Sequence, residues 1–422
     1  MSEPTAAPRL PPYAAQFAAV WSFAEIQEVM RSPDFHQGGF QESLMFLGDT
    51  ILMVDGKTHL DRKMVFAPLF SKEAMAYYEA RLLEPTIAEV MAELGAQHGP
   101  DGLARTDLVP LIRVMLHRIS ARIVGVDGVD TPVRTERFRQ LLSALVEAAP
   151  VEWSTRNKQE VIAEGLATLN ALVAEYLRPS LDRRRGLVRQ FREGTLTKEE
   201  LPRDVLTMIC LEGTDAVDQS GGTDGYVWRE CSFFLIASTQ TTMHSLPHII
   251  VHLADWVARH PEDAARIGET GFLRRAVGES MRLHQTAPAR FRVATRDLVL
   301  STGRRVAKGE TLALVAPTAN LETGVFGADA AEFNPWRETP AGLQPWGLSF
   351  GTGVHMCCGR LLVTGQPNRA DAEGGGSEGT MIKILKVLYA KGVELDPEDP
   401  PRRMSTSFHD TFESVPVILR RL

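Results

Sequence analysis

The 422-residue sequence predicts a mainly α fold with a small β region (α+β), on three observations. Apolar residues return every three or four positions through the first two thirds of the chain, as in "SKEAMAYYEARLLEPTIAEVMAEL" and "LVPLIRVMLHRISARIVG". One segment, Tyr226 to His260, would make about nine helical turns before Pro261 stops it. After Glu279 the pattern shortens to strand-like runs, "FRVAT", "LVLST" and "TLALVA", separated by Gly and Lys turns.

Taken in order, residues 1–16 are polar and Pro-rich and read as a loosely ordered arm. "SFAEIQEVM" then begins the helical part, "TERFRQLLSALVEA" continues it, and the Gly- and Asp-rich stretch Glu212 to Gly225 is a loop ahead of the long helix. A helix carrying "ESMR" leads into the strands. The low-complexity run "ADAEGGGSEG" makes residues 369–380 a flexible loop. Nothing near the middle looks like a linker and no repeat is present, so residues 1–422 read as one large domain.

Hydrophobic residues at 44% and charged residues at 23% suit a globular protein with a sizeable core, and the net charge of −7 argues against general nucleic-acid binding. Four cysteines cannot form a disulfide framework in so long a chain, which points to a reducing, cytoplasmic compartment. The first residues lack a basic start followed by an apolar run, and the longest apolar stretches fall short of the roughly 20 residues a membrane span needs. Neither export nor membrane attachment is expected.

The densest chemistry lies in "LSFGTGVHMCCGRLL", Leu348 to Leu362. Gly351 and Gly353 would let the backbone run close to a flat object, and Gly359 would let a helix begin hard against it. A cysteine surrounded by backbone N–H groups ahead of a helix is held as thiolate, able to ligate a metal or attack an electrophile. No CxxC partner or second cysteine cluster exists, so zinc or an iron–sulfur cluster would lack ligands, whereas haem iron needs one protein thiolate. A buried cysteine in a Gly-rich turn remains the bland alternative.

Phe350 to Gly359, FGTGVHMCCG, resembles the haem-binding signature of the cytochrome P450 family, FGxGxHxCxG. The resemblance implies a single domain of that type, haem b held by Cys357 as axial thiolate, Phe350, Gly351 and Gly359 shaping the cofactor loop, and His355 as a propionate partner. Cys358 stands where the family accepts many residues. Glu279 and Arg282 in "ESMR" and Arg337 in "FNPWR" match the family's structural triad. Arg292 in "RVATRD" and His59 in "DGKTHLDRKM" match further propionate positions. Where the family usually has Arg four residues after that His, this chain has Lys63, with Arg62 just before it, so either could serve.

Over the haem the family carries [AG]GxxTT with an acid before the first Thr, and this chain reads "ASTQTT". Ala237 and Thr241 match, while Ser238 replaces Gly and Gln240 replaces the acid. Gln240 cannot exchange a proton near neutral pH, so proton delivery would fall to Thr241 with water or a substrate group. His244, His248 and His252 share one helical face but read as structural, since Pro247 interrupts the stripe and no carboxylate sits at the metalloprotease spacing. The helix after the cysteine is expected to be short, followed by an exposed excursion. Arg62, Arg360, Lys383 and Lys386 are candidate contacts for an acidic ferredoxin. By position the substrate pocket would include Phe40, Met45, Phe46, Phe234, Ala237, Ala287, Arg290, Phe291 and Phe412, a mixture suited to an amphipathic compound.

The resemblance implies a haem-thiolate monooxygenase that inserts one oxygen atom from dioxygen into a small metabolite, by hydroxylation, epoxidation or N-oxidation, in natural-product tailoring. Ferredoxin and ferredoxin reductase would supply electrons, since the chain has no flavin or NAD motif, and the substrate would be free or tethered to a carrier protein. Two alternatives stay open: a peroxide-driven, coupling or nitrating haem-thiolate enzyme, and a haem-containing binding or sensor protein without turnover.

Overall fold

The computed structural model describes residues 10–95, 103–213, 225–367, 376–405, 407 and 409–421. The tip of the loop expected at 369–380 and most of the Gly- and Asp-rich stretch before the long helix lie outside the described residues. The chain forms two compact units, one from Met1–Gly39, Ile87–Ile112 and Thr241–Leu422, the other from Phe40–Thr86 and Arg113–Gln240. The helix Tyr226–Arg259 gives its first part to the second unit and the rest to the first.

The first unit holds all the described sheets. Its largest has the strand order Ala18–Val20, Thr311–Leu314, Arg290–Ala294, Phe35–Gln37, with the first pair parallel and the others antiparallel. The two N-terminal strands escaped sequence reading because three residues are too few to show a period of two. The helix Phe23–Arg31 turns Phe23, Ile26, Val29 and Met30 onto this sheet, where they join Leu312, Leu314, Ala316 and Leu348 in one core. The Phe23 N–H, unpaired within the helix, donates to Glu322 Oε2 at 2.8 Å. The arm expected to be loose through residue 16 is packed from Tyr13 and Ala14 onward, with the Tyr13 ring 5.5 Å from that of Phe291.

The helix after the cysteine is short, Arg360–Thr364, as expected, but the chain beyond it corrects the reading of 369–380 as loop throughout. Gln366–Pro367 pairs with Gly376–Ser377, and a helix resumes at Gly379–Ala390. Thr380 Oγ1 donates to the Leu362 carbonyl at 3.0 Å, so the second helix satisfies an end carbonyl of the first. Gly365 and Gly379, at φ +70° and +77°, abut where the chain leaves and returns, and a Cβ on Gly379 would lie 2.3 Å from the Gly365 nitrogen. Only glycine fits there.

The second unit is helical throughout its described residues. Pro132–Ala148 starts on Thr131, whose side chain accepts the Arg134 N–H, with Pro132 at the first helical position. Lys158–Leu172 starts on Asn157, and Asp204 caps Val205–Glu212. Gly56–Phe66 and the first part of the long helix complete the elements that carry candidate site residues. Among the described residues, no helix is long and apolar enough to cross a membrane.

Candidate active site

The cysteine loop belongs to the first unit and is built from tight turns. Gly351 N–H donates to Leu348 O at 2.9 Å, Met356 N–H to Gly353 O at 3.2 Å, and Cys357 N–H to Phe350 O at 2.9 Å. Gly351 and Gly353 have φ of +69° and +72°, and a Cβ on Gly353 would come within 2.4 Å of the Met30 carbonyl oxygen. Left-handed turns and the end of the helix Phe23–Arg31 require these glycines whether or not a flat ligand lies beside the loop. Gly359 differs. Its φ is an ordinary −74°, and a Cβ there would meet only Cys357 Sγ, at 3.9 Å.

The space beside the sulfur is therefore open, and Cys357 is exposed to it. Protein atoms still crowd the sulfur enough for desolvation to push the thiol up to about 11, with Cys358 adding to the rise and the Gly359 N–H, Arg290 and Arg360 opposing it. A cation at the sulfur would convert this thiol to thiolate. Arg290 makes the same point from the other side. Expected among substrate contacts, it donates through Nη2 to the Ser349 carbonyl at 2.6 Å and through Nη1 to Gln285 Oε1 at 3.4 Å, and among the described residues no carboxylate pairs with it. Burial lowers its pKa to about 10, and Cys357 is the charged neighbour that acts against the fall. A half-buried guanidinium without an anion is a ready site for one. A single open thiol ligand beside a cation that has only neutral acceptors fits a metal group that carries carboxylates, as haem does.

Other candidate haem contacts divide between the units. In the first, Arg292 is buried and donates to the Phe291 carbonyl at 2.8 Å and to Gln37, its partner across the sheet, while His355 is half-buried. In the second, the helix Gly56–Phe66 places His59 and Lys63 one turn apart. His59 is buried, with Nδ1 3.1 Å from the Ile51 carbonyl. Of the two cations left open, Arg62 is engaged by protein groups. Its guanidinium reaches Glu230 at 3.3 Å and the Asp49 carbonyl, and lies 3.7 Å over the Tyr226 ring.

On the long helix Ala237, Ser238 and Gln240 are half-buried and Thr241 is exposed. Ser238 Oγ donates to the Phe234 carbonyl at 2.7 Å and meets Ser120 Oγ at 2.5 Å. Thr239 and Ser245 also back-bond four residues down, to Leu235 and Thr241 carbonyls at 2.8 and 3.0 Å. Such bonds accommodate bending, and Pro247 stays inside the helix rather than ending it.

Glu279, Arg282 and Arg337 come together as the motif order implied. Glu279 accepts Arg282 Nε at 2.8 Å and Nη2 at 2.7 Å, and Arg337 Nε at 2.9 Å. The remaining Arg282 fork donates to the Asn320 and Ala330 carbonyls, both at 2.7 Å.

Three of the expected pocket aromatics are buried among protein side chains. Phe46 packs where a Cβ on Gly165 would be 2.7 Å away, Phe291 lies among Tyr13 and Phe17, and Phe412 lies tilted 4.8 Å from the His248 ring with Arg403 over it. Phe40, Phe234 and Ala287 are half-buried and Met45 is exposed. Lys383 and Lys386, expected to meet a ferredoxin, both pair with Glu378, Lys383 at 3.0 Å.

The histidine stripe is structural, with members that sequence spacing missed. His248 Nε2 meets the Asp410 carbonyl at 2.9 Å, His284 Nδ1 contacts the Asp410 carboxylate, and His284 Nε2 is 3.1 Å from His252 Nε2. His248, His284 and Asp410 place ligand atoms within 4.8 Å of one another, but the two rings stack at 3.9 Å and 17°. Stacked rings point their lone pairs side by side rather than at a common ion, and Arg403 already supplies the cation there.

An α-rich fold with a small mixed sheet, an open cysteine in a Gly loop and a buried Glu–Arg–Arg triad define a haem-thiolate class of protein. The chain belongs to the cytochrome P450 family, whose model matches residues 26–364. Haem b is that family's cofactor. A self-sufficient cytochrome P450 monooxygenase, CYP505E3 of Aspergillus terreus, is 27% identical over 239 residues, 52% of this chain and 21% of that protein. The chain thus spans about a fifth of that curated relative. Among solved structures, CYP109E1 from Bacillus megaterium in complex with corticosterone superposes with a TM-score of 0.67 at 16% identity, covering 98% of this chain and 95% of that one. P450BioI in complex with an acyl carrier protein ligated to hexadec-9Z-enoic acid gives 0.65 at 16%, covering 95% and 92%.

Proposed function

We propose that this chain is a single cytochrome P450-type domain acting as a haem-thiolate monooxygenase on a small amphipathic metabolite. The observation that carries the reading is Cys357, exposed beside open space, with the unpaired guanidinium of Arg290 as its charged neighbour. When bound, haem supplies the activation of dioxygen that no side chain can. Cys357 would hold its iron, His59, Lys63, Arg292, His355 and Arg290 would meet its carboxylates, and the exposed Thr241 hydroxyl would hold and pass protons. Gln240 supports a second reading, peroxide-driven turnover, because an amide cannot relay protons at this position.

Electrons would come from a separate ferredoxin and its reductase, and Arg360 is the cation still suited to meet that partner. The substrate would be a natural-product intermediate, free or tethered to a carrier protein as in the neighbouring carrier-protein complex. The test is the absorption spectrum of the reduced, carbon-monoxide-bound protein beside Cys357→Ser and Cys358→Ser. A red-shifted Soret band lost only with Cys357 is expected. A band that follows Cys358, or no haem at all, would sink the reading. Product formed with hydrogen peroxide alone, and none with ferredoxin and reductase, would select the second.

A further inference from the structure

Glu230 is a buried carboxyl in the first turns of the long helix, two turns ahead of the ASTQTT segment and outside every haem motif. Its two oxygens accept the Ile51 N–H at 3.2 and 3.0 Å, and Oε2 also takes Arg62 Nη1 at 3.3 Å. The other side of the same residue is held by His59, whose Nδ1 lies 3.1 Å from the Ile51 carbonyl. A carbonyl only accepts, so Nδ1 carries the hydrogen and the ring turns Nε2 away from Ile51. Tautomer and ring direction are therefore set by where Ile51 sits, and Glu230 with Arg62 sets that.

We propose that Glu230 is a positioning residue for haem: through Ile51 and Arg62 it fixes the tautomer and aim of His59 toward a propionate. This rests on the haem-binding role of His59 proposed with the function. A Gln at 230 would keep one acceptor oxygen for Ile51 but put an N–H2 where the other oxygen accepts, and an Ala would lose both.

The test mixes haem-loaded protein with excess haem-scavenging apoglobin and follows the rate of haem loss. Glu230→Ala should accelerate loss about tenfold, the low end for removing an outer partner of a ligand group, and Glu230→Gln less. In a His59→Ala background both effects should vanish, because a residue acting through another adds nothing once that one is gone. Where Glu230→Ala does not load haem, Glu230→Gln in the two backgrounds carries the same comparison. Glu152→Ala separates structure from positioning. Glu152 is likewise buried in the second unit and accepts the Glu42 and Ser43 N–H groups at 2.7 and 3.0 Å, so its loss should lower thermal stability without moving haem release. Unchanged haem loss in the Glu230 variants, with faster loss in His59→Ala, would overturn the proposal alone. Unchanged loss in His59→Ala would overturn the haem role of His59 itself.

Discussion

Arg337 Nε donates to Glu279 Oε1 at 2.9 Å across 58 residues of chain, and the same carboxylate takes two donors of Arg282. One buried anion thus serves two guanidinium groups, with Asp329 sharing the second. Glu279→Gln would strip that charge and leave Arg282 facing carbonyls alone, costing about 3–5 kcal/mol. Arg337→Lys should cost less. Calorimetry of both variants checks this, and a Glu279→Gln midpoint equal to wild type would count against it.

Two glycines of one loop should fail in different ways. Gly353→Ala forces a Cβ onto the Met30 carbonyl at positive φ, and should lower the stability of the haem-free protein by at least ~1–3 kcal/mol. Gly359→Ala meets no such contact, so haem-free stability should hold while haem incorporation falls. Denaturant unfolding and haem content, measured on the same preparations, separate the two.

Arg290→Gln removes a half-buried cation whose charged neighbour is Cys357. Haem-free protein should lose no stability, because the half-buried charge has no anion to lose. Loaded protein should show a more negative iron reduction potential, since positive charge near the thiolate favours the reduced metal. A potential unchanged in a redox titration would place Arg290 too far away to matter.

Burial, followed by the charge of His284, holds His248 and His252 well below the ordinary imidazole value of 6.5, with Arg403 adding to the fall and Asp410 opposing it. The folded protein therefore binds fewer protons than the unfolded chain as pH drops through that value. Stability from these rings is present above pH 6.5 and is lost as pH falls below it. Replacing His248 with Asn should flatten that loss between about pH 8 and about pH 5, read as unfolding midpoints.

Glu230 gives the opposite slope. Burial raises its carboxyl to about 8 from 4.5, with Arg62, the Ile51 N–H and Tyr226 opposing the rise. Its stability contribution is complete below pH 4.5 and is lost as pH rises through about 8. Glu230→Gln should remove this alkaline loss in unfolding midpoints followed across that window, and an unchanged alkaline limb would show that the carboxyl ionises freely.

The sequence by itself determined the family, the cysteine, the triad and the long helix. Each rests on residue types at fixed short spacings, and a period of 3.6 or a contiguous loop is written in the order of residues. Only the tertiary structure decided the partners of charge. Arg62 meets a carboxylate 168 residues away, Arg290 turns to the cysteine loop, and His284 and Asp410 complete a cluster of which sequence displayed only the helical stripe. The same holds for Phe291, sealed by two aromatics from the N-terminal arm, and for Gly351 and Gly353, crowded by a helix more than 300 residues earlier. A chain's order fixes which faces are apolar, but which charge neutralises which depends on distances that exist only after the faces have packed.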